Sequence, residues 1–345
     1  MAKRFVLNTV KLFLSLALGM ILSEVLLRVC GFQPWSYYKT DANEPTMHEP
    51  DAILGWQNKA GSYTVPPYHP SGETIHITFL KNGRRRTGVN SSVNSAGELV
   101  LIGDSFTQGW AISDSETYAW KLQKKFPFFH ILNYGTGGYG SYQSLLMLER
   151  ELPSLGHPKF VLYGFIEHSE VRNAAPAWWL ELLSRYSRRS HVNVPFATFD
   201  AEKGMLRHPP ERYVSLPFRE SSAVVTLVEN SYMRLKTRKR FVNKRLITEQ
   251  ILLSMNRVSK ENNAIFVTVL LDGDRNFKEH YIKFLSENNI QVIDCIYEIT
   301  NEMRVPGEGH PNDKMNTLWA KCISDALNDQ FENSRLSNQL RNNTP

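Results

Sequence analysis

Hydrophobic positions along the chain fall into two regimes. Near the N-terminus, Leu12 to Leu22 is an almost unbroken apolar stretch, and an amphipathic extension continues through Leu27. From residue 99 onward, short apolar runs alternate with segments of helical spacing. Leu99–Ile102 is fully apolar and reads as a strand buried on both faces. His130–Tyr134, Phe160–Phe165, 264–271 and Gln291–Asp294 read as further strands. Between and after them, Glu116–Phe126, Ser141–Leu152, Leu246–Glu261, 276–288 and Lys314–Leu327 carry the period of amphipathic helices. Ser113, Asp114 and Ser115 are candidate caps of the first. The alternation predicts an α/β fold: a three-layer α/β/α sandwich around a central parallel sheet, preceded by an N-terminal transmembrane helix.

The same pattern divides the chain. Residues 1–30 read as a signal anchor. Residues 31–96, rich in Pro, Gly and Tyr, read as an extended stem and short strands packing on the main domain, with alternation from Thr74 to Phe79. Residues 97–330 form that domain, and 331–345 a polar tail. The rhythm breaks at 172–245, where Trp178, Trp179 and five prolines mark an insertion that covers or borders the site.

The basic front of Lys3, Arg4 and Lys11 turns the first apolar stretch into a targeting signal. No small-x-small cleavage site follows it, and Val29 is too large for lipoprotein processing at Cys30. An uncleaved anchor is the expectation, with a buried helix of a soluble protein as the alternative. Positive charge before the span places the N-terminus in the cytoplasm and the main domain on the periplasmic or extracellular side. Glu24 and Arg28, at i,i+4, can pair at the outer interface.

Composition is ordinary for a globular protein, at 42% hydrophobic and 21% charged residues. The net charge of +6 is uneven, with seven Lys/Arg between Arg234 and Arg245. That run reads as a solvated helix face or as a surface for anionic polymer or lipid headgroups. Nucleic acid is not an expected partner, because no reader motif accompanies the charge. Three cysteines without CxxC spacing argue against a disulfide framework and against zinc. Cys295 and Cys322 are expected as buried free thiols, with a Cys295–Cys322 bridge as the alternative.

Candidate chemistry begins at "LVLIGDSFTQGW". A strand ends there in a Gly-Asp-Ser turn, at the sheet edge where ligands gather in parallel α/β folds. A serine hydroxyl is a weak nucleophile without a base. "PGEGHPN", 306–312, supplies His310 in a loop before the closing helix, with Glu308 two residues earlier as an orienting carboxylate. "NYGTGGYGSYQ", 133–143, places Gly135, Gly137 and Gly138 after the second strand, where backbone N–H groups can approach an oxyanion. Neither a metal nor a cofactor is required.

Together these segments resemble the SGNH/GDSL hydrolase superfamily, over roughly residues 97–327. "GDSFTQG", "NYGTGGYG" and "GHPN" match its first, second and final blocks. The anchor and "ILGWQNKAG" at 53–61 resemble a bacterial membrane-anchored, envelope-associated subgroup. The resemblance implies a flavodoxin-like sheet and a serine esterase. Ser105 is then the nucleophile, His310 the base, and Ser105, Gly138 and His168 the oxyanion hole. Two departures stand out. Where the third block carries Asn-Asp, this chain has "YGFIEHSEVRN", with Glu167-His168. Ionised Glu167 cannot donate, which leaves His168 or Asn173 as substitutes. Gly307 occupies the usual acid position three residues before the His, which gives that role to Glu308. The implied activity is removal or transfer of small acyl groups, acetyl foremost, on envelope or extracellular glycans. Its partners are an acylated glycan, the membrane and envelope polysaccharide machinery. The alternatives are a GDSL lipase or lysophospholipase, and a non-catalytic glycan-binding or assembly partner. Trp178 and Trp179 would stack on sugar or pack into the core.

Overall fold

The computed structural model describes residues 2–38, 46–88, 96–187 and 192–342, and their side chains from Arg4 to Asp329. Helix α1 (Ala2–Val29) opens the chain. Strands β1 (His48–Asp51) and β2 (Gly55–Asn58) pair antiparallel, as do β3 (Gly61–Val65) and β4 (Ile75–Phe79). The β/α alternation then runs β5 (Glu98–Gly103), α2 (Ser105–Gln108), α3 (Tyr118–Lys125), β6 (His130–Asn133), α4 (Ser141–Glu151), β7 (Pro158–Ile166) and α5 (His168–Asn173). Helix α6 (Ala177–Tyr186), strands β8 (Asn193–Asp200) and β9 (Gly204–Arg212) and helix α7 (Ala223–Thr237) interrupt it. It resumes with α8 (Lys244–Glu261), β10 (Ile265–Asp272), α9 (Arg275–Glu287), β11 (Gln291–Asp294) and α10 (Asp313–Asn342).

Five strands form one sheet in the order β11-β10-β7-β5-β6, and every pairing is parallel. Alternation within each strand builds the two faces. Leu99, Leu101, Leu162, Val267 and Val269 point to one side, where Tyr118, Leu122, Trp319, Ile323 and Leu327 of α3 and α10 cover them. Helices α4, α8 and α9 cover the other face, where the Phe165 ring meets Phe277 tilted at 4.8 Å and Tyr281 edge-on at 4.7 Å between centroids. The α/β/α sandwich with a parallel sheet is therefore observed.

Three details differ from the sequence-based expectation. Ser113 caps only the short 3-10 turn Asp114–Glu116, where its N–H donates to Glu116 Oε2 at 2.7 Å, and the cap of α3 itself is Thr117, whose hydroxyl accepts from Trp120 N–H at 3.2 Å. The last helix does not stop at Leu327 but runs on to Asn342, through a polar stretch free of Gly and Pro. Cys295 and Cys322 are not free thiols. They form a disulfide, because the end of β11 and helix α10 pack side by side and hold the two Cα atoms 5.9 Å apart. Cys30 remains free and exposed.

The chain divides into two compact units. One comprises residues 40–175, 194–211 and 243–345, and holds the whole five-stranded sheet with β1–β4. The other comprises 1–39, 176–193 and 212–242, and holds α1, α6 and α7. In it Trp35 is buried with Arg219 and Arg185 against its ring, at 3.4 and 4.2 Å from the centroid. Trp179 is also buried, whereas Trp178 is half exposed. Helix α1 is long and apolar enough to cross a membrane and none of its span is buried. A signal sequence has the same features.

Candidate active site

The site is built at the carboxyl end of β5. Gly103 has φ +154°, and a Cβ there would lie 2.3 Å from Thr107 Oγ1, so only glycine lets the chain turn this tightly into α2. Asp104 caps α2 by accepting from Phe106 N–H at 3.0 Å. Its other oxygen accepts from Arg172 of α5 at 2.8 Å, and the same guanidinium nitrogen donates to Tyr139 O at 3.0 Å. Ser105 is thereby fixed as the first residue of α2, with its side chain at the strand end.

Two further glycines let α2 settle onto the sheet. A Cβ on Gly135 would meet Gln108 N at 2.3 Å, and one on Gly164 would meet Thr107 Oγ1 at 2.2 Å. At the other end of α2, buried Arg85 donates to Gly109 O at 2.9 Å and Ile112 O at 2.8 Å, and pairs with Asp114 at 2.7 Å. The turn at Ser105 is held at one end by half-buried Arg172 and at the other by buried Arg85.

His310 lies in the loop before α10. Its Nε2 is 3.0 Å from Ser105 Oγ. Its Nδ1 is 2.7 Å from Glu308 Oε1, and its backbone N–H donates to Glu308 Oε2 at 2.8 Å. Trp110 Nε1–H donates to Oε1 at 3.1 Å. Burial would raise the Glu308 carboxyl, but the ring and backbone N–H of His310, with Trp110, outweigh it and hold the group below its ordinary value. An ionised Glu308 is acceptor only, so it takes Nδ1–H and leaves Nε2 as the acceptor for the Ser105 hydroxyl. Ser105, His310 and Glu308 thus come together in one hydrogen-bonded chain.

The Gly-rich loop after β6 packs beside α2, where a Cβ on Gly137 would lie 3.0 Å from Gln108 Oε1 and 3.7 Å from the Trp110 ring. Gly138 has φ +80°. Among the described residues, no acceptor takes the backbone N–H of Gly138 or of Ser105. The loop is braced from β2: Trp56 Nε1 donates to Gly137 O at 2.9 Å, and Asn58 Nδ2 to Gly135 O at 3.0 Å. Gln108 Nε2 closes the network on Asn58 Oδ1 at 2.7 Å.

The corner after β7 departs from expectation. Asn173 is not a donor toward the site. Its oxygen accepts from Tyr142 N–H and its nitrogen donates to Thr248 Oγ1, both at 2.8 Å, in a buried position. Glu167 is turned to the β10–α9 connection, where it accepts from Asp274 N–H at 3.1 Å. His168 begins α5 and is exposed. The expected basic run is also divided: Lys244 and Arg245 pair with buried Glu170 at 3.0 and 3.2 Å.

Trp56, Asn58, Arg85, Trp110 and Arg172 were not singled out as site residues by the sequence. The "GWQN" segment that carries two of them was legible only as part of a resemblance.

No family model and no curated protein matches the chain. Several solved structures are similar to the chain at low identity. A lipolytic protein of the G-D-S-L family from Veillonella parvula is 12% identical, with 66% of this chain and 96% of that one covered, at a TM-score of 0.38. A putative lipolytic protein of the same family from Desulfitobacterium hafniense is 13% identical, with 66% and 98% covered and a TM-score of 0.39. The psychrotrophic esterase EstA from Pseudoalteromonas sp. is 11% identical, with 68% and 99% covered and a TM-score of 0.41.

Proposed function

We propose that the chain is a serine ester hydrolase, held at a membrane by α1, that removes or transfers small acyl groups on glycans outside the cytoplasm. The observation that carries the chemistry is the unbroken Ser105–His310–Glu308 chain at a strand end. Ser105 Oγ attacks the ester carbonyl while His310 Nε2 takes its proton. Glu308 stabilises the imidazolium that results. The backbone N–H groups of Ser105 and Gly138 receive the developing oxyanion, with His168 as the side-chain candidate for a third donor. His310 then protonates the leaving alcohol. Water attacks the acyl-enzyme to release acid, or a sugar hydroxyl attacks it to give a new ester. Acetyl as the acyl group and glycan as its carrier rest on the sequence resemblance and on the export that an anchor implies. The intact chain of hydrogen bonds speaks against a binding protein that has lost its catalysis.

The test is ester cleavage by the full-length chain in detergent, on p-nitrophenyl acetate and p-nitrophenyl decanoate, beside Ser105→Ala and His310→Ala. Acetate cleavage abolished in both variants is the expected result. Preference for decanoate transfers the reading to a lipase. Folded wild type no faster than Ser105→Ala on either ester refutes the hydrolase.

A further inference from the structure

We propose that α7 is a second membrane-contact element, an interfacial helix that sets Val228, Tyr232 and Leu235 into the headgroup region of an anionic bilayer. The inference rests on reading α1 as the span of that bilayer.

Helix α7 is amphipathic in an unusual sense, because both of its faces carry apolar residues. One face is buried through Ala223, Thr226, Glu229, Met233 and Thr237. The opposite face exposes Val228 at 52%, Tyr232 at 51% and Leu235 at 73%. Their i, i+4, i+7 spacing puts them in one stripe along the helix. Phe241 and Val242, just beyond the helix, are exposed as well. Single exposed apolar residues need no explanation, but a continuous stripe marks a contact surface.

The contact is fixed by where α7 begins. Glu24, near the end of α1, accepts from Ala223 N–H at 2.9 Å, Val224 N–H at 3.1 Å and Ser222 Oγ at 2.8 Å. Arg28 donates to Ser221 O at 2.8 Å and pairs with Glu24 at 2.6 Å. A charged pair at the end of an apolar helix belongs at the membrane–water boundary. The first turn of α7 is therefore pinned at that boundary. Helix α1 is exposed from Arg4 to Ser23 except at Thr9, so α7 does not run back alongside the span. Charge then selects the occupant. Arg234, Lys236, Arg238, Lys239 and Arg240 lie within one short segment beside the stripe, and Lys236 Nζ sits 5.9 Å from the Tyr232 ring centroid. An apolar stripe with an aromatic at its centre and cations along its border is the chemistry of a helix lying in the interface of an anionic membrane.

The experiment uses the full-length chain with Cys30→Ser, reconstituted into phosphatidylcholine vesicles with and without phosphatidylglycerol. An environment-sensitive fluorophore is attached at Leu235→Cys, at Leu16→Cys within α1, or at Ser286→Cys on α9 as the exposed control. Quenching by lipids carrying a nitroxide near the headgroup or deep in the chain is then read. The proposal expects deep quenching at position 16, headgroup-level quenching with blue-shifted emission at 235, and neither at 286. Arg238→Glu with Lys239→Glu should reduce the signal at 235 only when phosphatidylglycerol is present. Quenching at 16 with none above the control at 235 overturns the inference and leaves the anchor standing. No quenching at either position overturns both. Emission at 235 that is blue-shifted but unquenched assigns the stripe to a second copy or another protein, and also overturns it.

Discussion

The sharpest test of the site is Glu308→Gln, a change that keeps shape and removes charge. Both carboxylate oxygens are occupied by donors. Oε1 faces His310 Nδ1 at 2.7 Å and Trp110 Nε1 at 3.1 Å, and Oε2 accepts from the His310 backbone N–H at 2.8 Å. A glutamine has one oxygen. If it faces Nδ1 and Trp110, its amide nitrogen confronts the His310 N–H. If it faces the His310 N–H, the nitrogen confronts Nδ1 and the Trp110 N–H, which favours the tautomer with hydrogen on Nε2. Either orientation sets a donor against a donor. The charge term is separable. Two unit charges about 4 Å apart at an effective dielectric constant near 20 interact by about 4 kcal/mol, or about 10³ in rate. Loss of the correct tautomer carries the expected fall in kcat to about 10³–10⁴, with KM little changed. The assay is p-nitrophenyl acetate turnover, with thermal unfolding measured alongside to show that the variant is folded. A folded variant that keeps more than about a tenth of wild-type kcat would refute the assignment of Glu308 as the orienting acid.

Two further outcomes follow from groups away from the nucleophile. The Cys295–Cys322 bridge closes a sequence separation of 27 residues, for which chain entropy gives about 3.5 kcal/mol. Urea unfolding of Cys322→Ser should show a loss of that order, and a loss below about 1 kcal/mol would contradict the entropic estimate. His48 has its ring stacked on Trp110 with Nε2 buried and unpartnered among the described residues, and burial pulls its pKa from 6.5 to about 4. Below pH 6.5 the unfolded chain takes up a proton that the native ring refuses, so this contribution falls as pH drops from 6.5 to about 4. The loss reaches about 3 kcal/mol once both states are protonated. The difference in unfolding free energy between wild type and His48→Phe should carry that pH slope, and a flat difference between pH 7 and pH 4 would count against it.

What could be read from the sequence is what local pattern encodes. A strand buried on both faces is a continuous apolar run, so Leu99–Ile102 and 264–271 were legible to within a residue or two of β5 and β10. Ser105, Glu308 and His310 were legible because each follows a strand in a Gly-rich turn, and because Glu308 reaches His310 two residues away. Long-range pairings have no such signature. Asn58 meets Gly135 across 77 positions, and Arg172 meets Asp104 across 68. The Cys295–Cys322 disulfide could be no more than an alternative for the same reason, since its geometry depends on how α10 packs against β11.

The corner after β7 shows what a motif departure means once the fold is in view. Read as a pattern, Glu167-His168 in place of Asn-Asp is a missing donor. In the fold, three residues of that corner have other partners, while His168 is exposed. Glu167 caps the turn into α9, Asn173 joins α4 to α8 inside the core, and Arg172 grips the carboxylate of Asp104 beside Ser105. The guanidinium also takes the carbonyl of Tyr139, next to Gly138, so one side chain ties the nucleophile turn to the Gly-rich loop. That places the backbone N–H groups of Ser105 and Gly138, both without an acceptor among the described residues, on segments held by the same cation. On the proposed reading, oxyanion stabilisation depends on how rigidly backbone donors are held, because a donor that need not reorganise during reaction is worth most. On the proposed reading, Arg172 at this corner braces the backbone donors, and exposed His168 stays the side-chain candidate beside them.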